Sequence, residues 1–256
     1  MPTALVTGAS SGLGAEFARQ LAARGCDVLL VARRAERLAT MAAELAKEHR
    51  VEAHVFAADL SLREAPAAIE AHAKEKGLAI DWLVNNAGVA GPKLLEEKDW
   101  DAQCAFFELM MISVASMCHR FIPPMVERGR GRVVNVASVA GRISRPAGAN
   151  YGPSKAYVIA MSEELELSLR GTGVQVSALC PGFVHTEFHE TAGMGEMKAK
   201  SSDLLWYDAE TVVREGIEGC DRGEAVVVSG RLYRWLDPFA QSVWTRPIVK
   251  RFVPGR

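Results

Sequence analysis

At 256 residues the chain is long enough for one large α/β domain, the reading preferred over two small ones, and for a sizeable buried core. Thirty basic residues against 31 acidic ones leave a formal charge of −1, so no global field selects for nucleic acid or anionic lipid, and the expected partner is small. The five cysteines (Cys26, Cys104, Cys118, Cys180, Cys220) form no C-x-x-C and no Cys/His cluster, and no leader or apolar run of membrane-spanning length is visible. Together these features point to a cytoplasmic protein with buried thiols, no metal site and no membrane span.

The elements then alternate. Residues 2–7 read as a strand, Gly8 ends it, and a helical pattern runs from Ala15 to Gly25. Cys26 to Val31 is a near-continuous apolar run, as expected of a parallel strand covered on both faces. A helix over 35–48, a strand over 51–57, a helix over 61–76 and a strand over 81–85 follow. A long helix is expected over 101–128, kinked or shortened by Pro123 and Pro124. Residues 131–137 form a fifth strand that delivers Ser138, 151–170 the next helix, and 174–179 a sixth strand broken by Cys180-Pro181-Gly182. Residues 187–207 lack a clean period and read as a lid over an apolar pocket. A helix capped by Asp208 and a seventh strand at 225–229 complete the alternation. The stretch 230–256 carries Trp235, Phe239, Trp244 and Phe252 among Arg and Lys; it reads as a helix or arm packed on the body or a subunit partner, with amphipathic membrane contact as the alternative. The β-α-β-α order predicts a doubly wound, mostly parallel seven-stranded sheet, Rossmann-like, in one domain.

Three motifs carry chemistry. In Thr7-Gly8-Ala9-Ser10-Ser11-Gly12-Leu13-Gly14, between the first strand and first helix, Gly8 permits a tight turn, Gly12 lets backbone N–H groups approach a pyrophosphate, and Gly14 allows close helix packing. After the second strand, where an NAD-binding protein offers a carboxylate to the ribose, stand Ala32, Arg33 and Arg34. Losing that carboxylate removes repulsion against a 2′-phosphate and an arginine fork can pair with it, so NADP is favoured, with NAD as the alternative, and Arg33 is preferred to Arg34 as the contact. Asp59, followed by Leu60, either accepts from an adenine amino group or caps the helix beginning near Ser61. Asn86-Ala87-Gly88 joins turn chemistry to close ligand approach. In the third motif, Tyr151 and Lys155 share a helix face, where an ammonium and a helix N-terminus both favour phenolate, and a loop can fold Ser138 back over the same spot.

Taken in order over about residues 3–190, T-G-x-x-x-G-x-G, N-N-A-G, a Ser thirteen before Y-x-x-x-K, and P-G followed by Thr186 resemble the short-chain dehydrogenase/reductase family, in its NADP-preferring form. The resemblance implies that Tyr151 is the proton donor or acceptor, that Ser138 positions and polarises a carbonyl, and that Lys155 binds the nicotinamide ribose and lowers the tyrosine pKa. It also implies that Pro181, Gly182, Val184 and Thr186 touch the carboxamide end, and that the protein is a homodimer or homotetramer paired along its long helices. One position departs from the family: Met110 stands where an Asn is common, which predicts a retuned proton relay or one that uses Ser113. The function expected is hydride transfer between NADP(H) and a carbonyl/secondary alcohol pair. An apolar set at Phe183, His185, Phe188, Met194, Met197, Leu204, Leu205 and Trp206 suggests a bulky substrate. The alternatives are an NAD-dependent alcohol dehydrogenase and a non-catalytic dinucleotide sensor.

Overall fold

The structure, a computed structural model, describes residues 1–144, 149–186 and 205–245. Its sheet contains β1 (Thr3–Thr7), β2 (Asp27–Ala32), β3 (Ala53–Ala57), β4 (Ile80–Asn85), β5 (Gly131–Val136), β6 (Val174–Cys180) and a last strand, here β9 (Val226–Val228). These pair in the order β3-β2-β1-β4-β5-β6-β9, all parallel. Every residue of β1 and of β4 is buried, so their apolar residues run consecutively (Ala4 to Val6, Trp82 to Val84) rather than alternating with exposed polar ones.

The connecting helices are α1 (Gly12–Ala23), α2 (Ala35–His49), α3 (Ala65–Glu75), α4 (Trp100–Phe107), α5 (Ser113–Glu127), α6 (Tyr151–Ser168) and α7 (Ala209–Asp221). One core holds Phe17 and Leu21 of α1, Leu38 of α2 and Ile217 of α7 against one sheet face; the other holds Ile69 of α3 and Met117, Phe121 and Met125 of α5 against the opposite face. Two layers of helices thus bury a single sheet. Four cysteines, Cys26, Cys118, Cys180 and Cys220, are buried, and burial drives the last three thiols up to about 12; Cys104 is exposed.

Two features depart from the expected pattern. The long helix is continuous from Trp100 to Glu127 but contains a π-helical turn, Glu108–Ile112, between α4 and α5. That run is long and apolar enough to cross a membrane by composition, yet α5 packs its apolar face on the sheet through Val114, Met117, Phe121 and Met125. Phe183–Val184 (β7) and Trp206–Tyr207 (β8) form a separate two-stranded parallel sheet. Of the expected lid at 187–207, only 205–207 fall within the described residues, so Phe188, Met194, Met197 and Leu204 lie outside them. The C-terminal stretch contains a helix, α8 (Arg231–Gln241), one of the two forms its sequence suggests.

The strand order reverses between β1 and β4, and open parallel sheets bind ligands in the crevice beyond the strand C-termini at such a switch point. The glycine turn, Asn86 and Ser138 all follow strands that end there.

Candidate active site

The glycine turn between β1 and α1 is built by close backbone approach. Gly8 has φ +65°, and a Cβ there would lie 2.7 Å from Asn86 Nδ2. Gly14 lies inside α1, where a Cβ would sit 2.3 Å from the Gly8 carbonyl oxygen. Its task is packing, and it does not line the cleft. The Gly14→Ala variant is expected to lose roughly 3 kcal/mol, the upper end of overpacking costs. For a domain of this size that lowers the melting temperature by about 6–12 °C. Thermal denaturation checks it, and an unchanged midpoint would mean that the turn yields freely.

Thr7 ties this turn to the next one. Its hydroxyl accepts from the N–H groups of Asn86 (2.9 Å) and Ala87 (3.1 Å) and donates to the Val84 carbonyl (3.2 Å), while Asn86 Nδ2 donates to the Thr7 carbonyl (3.0 Å). Sequence reasoning named Asn86, Ala87 and Gly88 but gave Thr7 no role. Its signal was only a hydroxyl at the end of a buried strand.

A cleft of about 720 Å³ opens over these turns. It is lined by Gly8, Ser10, Ser11, Gly12 and Leu13 of the glycine turn, by Arg33, Arg34, Asp59 and Leu60, by Asn86, Ala87 and Gly88, by Pro181, Gly182, Val184 and Thr186, and by Ser138, Tyr151 and Lys155. No side chain caps the start of α1, which leaves its first N–H groups for a ligand. A Cβ on Gly12 (φ +56°) would meet Thr186 at 3.4 Å, so the segment after β6 reaches back to the glycine turn. This cradle fits a dinucleotide: the uncapped N–H groups at the start of α1 suit a pyrophosphate, and the lining residues follow strands on both sides of the switch point.

The arginines part company. Arg34 lays its guanidinium across the glycine turn, donating to Ser10 Oγ (2.9 and 3.1 Å) and Ser11 Oγ (2.7 Å). Arg33, 70% exposed at its side chain, approaches Asp59 Oδ2 at 3.8 Å. Asp59 Oδ1 accepts from the Ser61 N–H (3.0 Å) and hydroxyl (2.7 Å). Burial works to raise that carboxyl's pKa, but the Ser61 bonds and Arg33 outweigh it and hold it low. Asp59 therefore closes a turn at Ser61 rather than capping α3, which begins at Ala65.

Ser138 follows β5 and caps a short 3-10 turn, its Oγ accepting from the Ala140 N–H at 3.1 Å. The hydroxyl proton points toward the Pro181 carbonyl only at a long 3.5 Å, so it can turn to another acceptor. Tyr151 is the first residue of α6, and Lys155 one turn on places Nζ 5.8 Å from the phenol ring centroid. Lys155 is buried and donates to the Val136 carbonyl at 2.7 Å; burial lowers its pKa to about 8.

The start of α6 is pinned by residues that the motif did not reveal. Asn150 Nδ2 donates to Gln103 Oε1 (2.5 Å) on α4 and to the Pro92 carbonyl (2.9 Å), and both side chains are buried. Ala149 just before it has φ +63°, a strained value for a residue with a Cβ. A second buried chain runs from Asn85 Nδ2 to Asn135 Oδ1 (2.8 Å) and from Asn135 Nδ2 to Ser162 Oγ (2.9 Å), fixing α6 on the strands that carry Asn86 and Ser138.

Met110 sits in the π-helical turn, buried, with Sδ facing the Val89 N–H at 3.4 Å under the Asn86-Ala87-Gly88 turn. The helix is thus distorted without an Asn at this position, the thioether taking a loop N–H as a weak acceptor. Ser113, the substitute considered for a relay, donates to the Leu109 carbonyl at 2.7 Å within its own helix. Tyr233 of α8 was also missed. Its ring covers Gly182, where a Cβ would lie 2.0 Å away, and its hydroxyl accepts from the Phe183 N–H (3.3 Å) and donates to the Leu205 carbonyl (3.0 Å). Of the expected apolar pocket set, Phe183 lines the cleft, whereas His185 and Phe183 stack on the buried Trp206, each with centroids 5.1 Å apart.

A doubly wound parallel sheet with a glycine-built phosphate cradle at its switch point defines a nucleotide-binding α/β enzyme fold. A family profile described as short chain dehydrogenase matches residues 2–196, and the chain belongs to that family. It is 34% identical over 215 residues to sulfoacetaldehyde reductase 2 of Chromohalobacter salexigens, covering 83% of this chain and 84% of that one. Among solved structures, it is similar to a short-chain dehydrogenase from Sphingobium yanoikuyae in complex with NADPH, with 30% identity, TM-score 0.83 and coverage of 99% and 97%. It is also similar to the bulky-bulky ketone specific alcohol dehydrogenase from Comamonas testosteroni, with 26% identity, TM-score 0.79 and coverage of 99% and 95%. The protein is therefore an oxidoreductase that uses a nicotinamide dinucleotide.

Proposed function

We propose that this protein is an NADP(H)-dependent carbonyl reductase or secondary alcohol dehydrogenase acting on a bulky, apolar substrate. The observation that carries the reading is that Ser138, Tyr151 and Lys155 line one cleft together with the glycine turn. When bound, the nicotinamide supplies a hydride to the carbonyl carbon or takes one from the alcohol. The protein manages the oxygen. As the C=O π bond opens, negative charge gathers on that oxygen, the Ser138 hydroxyl donates to it, and Tyr151 gives it a proton. The buried Lys155 ammonium stabilises the phenolate that remains. Oxidation runs the same transfers in reverse.

The preference for NADP rests on Arg34 and Arg33, two guanidinium groups where a ribose-binding carboxylate would repel a 2′-phosphate. Arg34 is pre-set over Ser10 and Ser11, whereas Arg33 shares its charge with Asp59. Arg34→Ala is expected to weaken NADPH binding about tenfold, equivalent to about 1.4 kcal/mol, and to leave NADH within about twofold. Titration with both cofactors checks this, and equal losses would remove the assignment of Arg34 to the phosphate. The apolar walls at Val89, Met110, Ile143, Phe183 and Tyr233, together with the likeness to a bulky-ketone alcohol dehydrogenase, support a large apolar substrate. Exposed Trp100, Tyr157 and Leu167 on α4 and α6 support pairing of copies along those helices as a homodimer or homotetramer.

The decisive experiment follows reduced-cofactor absorbance against a panel of small, aromatic and steroid-sized ketones with NADPH and NADH. Oxidation of NADPH with bulky ketones is expected. Binding of cofactor without turnover of any ketone or alcohol would favour a sensor instead.

A further inference from the structure

Helix α8 has one face locked to the body. Besides the Tyr233 bonds, Asp237 receives Arg142 through both Nε and Nη2 (the latter at 2.6 Å), Gln241 Nε2 donates to the Arg142 carbonyl at 2.7 Å, and the Leu232 N–H donates to the Tyr207 hydroxyl at 3.2 Å. Tyr233, Asp237 and Ala240, spaced by about a helical turn, make that inner face. The opposite face is apolar and open: Trp235 is 67% exposed, Phe239 49% and Leu236 42%, with Val243 and Trp244 at 78% and 85% just beyond the helix. Trp235 and Phe239 lie against each other, ring centroids 5.6 Å apart. A helix already fixed by its inner face gains nothing in folding from aromatics on its outer one. A patch of this kind marks an interaction surface.

Charge identifies the partner. Arg231 and Arg234 stand in α8 against Asp237, and the sequence after the described residues continues with Arg246, Lys250, Arg251 and Arg256 and no acid, although the whole chain is net −1. Asp237 is already neutralised by Arg142 and Arg234 by Glu215 at 2.9 Å, whereas Arg231 at the helix start is exposed. Tryptophan and phenylalanine beside arginine, on a helix lying flat on its protein, is the composition that seats at the headgroup boundary of an anionic bilayer. A second copy docking by the same patch would set arginine against arginine.

We propose that the outer face of α8 docks this protein peripherally on an anionic lipid surface, with Trp235, Leu236, Phe239 and Trp244 entering the headgroup boundary and Arg231 meeting lipid phosphates. The near-balanced charge of the whole chain hides this excess at the C-terminal end of the sequence.

The test uses the full chain with vesicles of phosphatidylcholine alone and of phosphatidylcholine mixed with phosphatidylserine, read by co-sedimentation, with light scattering for mass. Wild type is expected to bind the mixed vesicles, to bind phosphatidylcholine alone far more weakly, and to be released as salt rises. A Trp235→Ser/Phe239→Ser variant is expected to bind at least about tenfold more weakly with an unchanged melting temperature. Arg231→Glu is expected to weaken binding and flatten its salt dependence, and it carries the test if the double variant does not fold. No binding by wild type, equal binding to both vesicles, or undiminished binding by the variants would overturn the proposal. A wild-type assembly that the double variant splits would overturn it too, by making a second copy the occupant of the patch.

Discussion

The Tyr151→Phe variant is expected to lose turnover by roughly 10³-fold or more while binding cofactor within about twofold of wild type, since positioned proton transfer contributes about 10²–10⁴. The change removes one oxygen and leaves the ring. That ring opens α6, whose start is held by the bonds from Asn150 to Gln103 and Pro92, none of which involves the phenol oxygen. Gly8, Ser10, Ser11 and Gly12, proposed to hold the phosphates, belong to the turn between β1 and α1 and to the start of α1, not to the first turn of α6 that carries Tyr151. A carbonyl reduced without Tyr151 would leave an alkoxide with Ser138 as its remaining nearby hydroxyl; that group can donate a hydrogen bond, but an aliphatic alcohol is about as weakly acidic as the product and does not readily surrender its proton. Single-turnover kinetics with NADPH, alongside a cofactor titration, separate the two quantities. Turnover retained within tenfold would mean that another group supplies the proton and that the role assigned to Tyr151 is wrong.

The order of strands was legible because this sheet is parallel and covered on both faces. Val28 to Val31 and Leu83 to Val84 are buried without interruption, so each strand stands out as an apolar run between amphipathic helices. The candidate site was legible where it is made of short contiguous motifs at strand ends. What escaped was held by contacts distant in sequence. Asn150 meets Gln103 across 47 positions and Tyr233 meets Phe183 across 50, and neither pair has a spacing that periodicity can detect. The π-helical turn at Glu108–Ile112 escaped for another reason: one extra residue per turn hardly alters a helical apolar pattern, and Met110 looks like any other core residue. The asymmetry between Arg33 and Arg34 was equally invisible, because adjacent side chains diverge according to which hydroxyls the folded turn presents.

Replacing Lys155 with methionine is expected to make the cofactor-free protein more heat-stable near neutral pH while lowering turnover by about 10²-fold or more. Burial lowers the pKa of this lysine from 10.5 to about 8. Because the native pKa is the depressed one, the unfolded chain holds the proton more tightly. The native state is thus relatively favoured above pH 10.5, loses that favour as pH falls toward 8, and carries the full penalty below it. A shift of this size corresponds to about 3 kcal/mol. Methionine avoids the penalty and fills similar space, but leaves the Val136 carbonyl without its 2.7 Å donor. An unsatisfied buried acceptor costs about 1–3 kcal/mol, so the net gain is at most about 2 kcal/mol, or about 4–8 °C in melting temperature. The gain should shrink steadily as pH rises from 8 toward 10.5, where wild-type Lys155 is neutral in the folded protein. Melting curves of both proteins across that range provide the check. A methionine variant that melts lower at pH 7, or an offset that does not change with pH, would mean that Lys155 keeps an ordinary pKa in the folded chain. An ammonium held in place at a cost to the fold is what the proposed role demands: its charge is uncompensated until a phenolate forms beside it, so the interaction is strongest when Tyr151 has given up its proton.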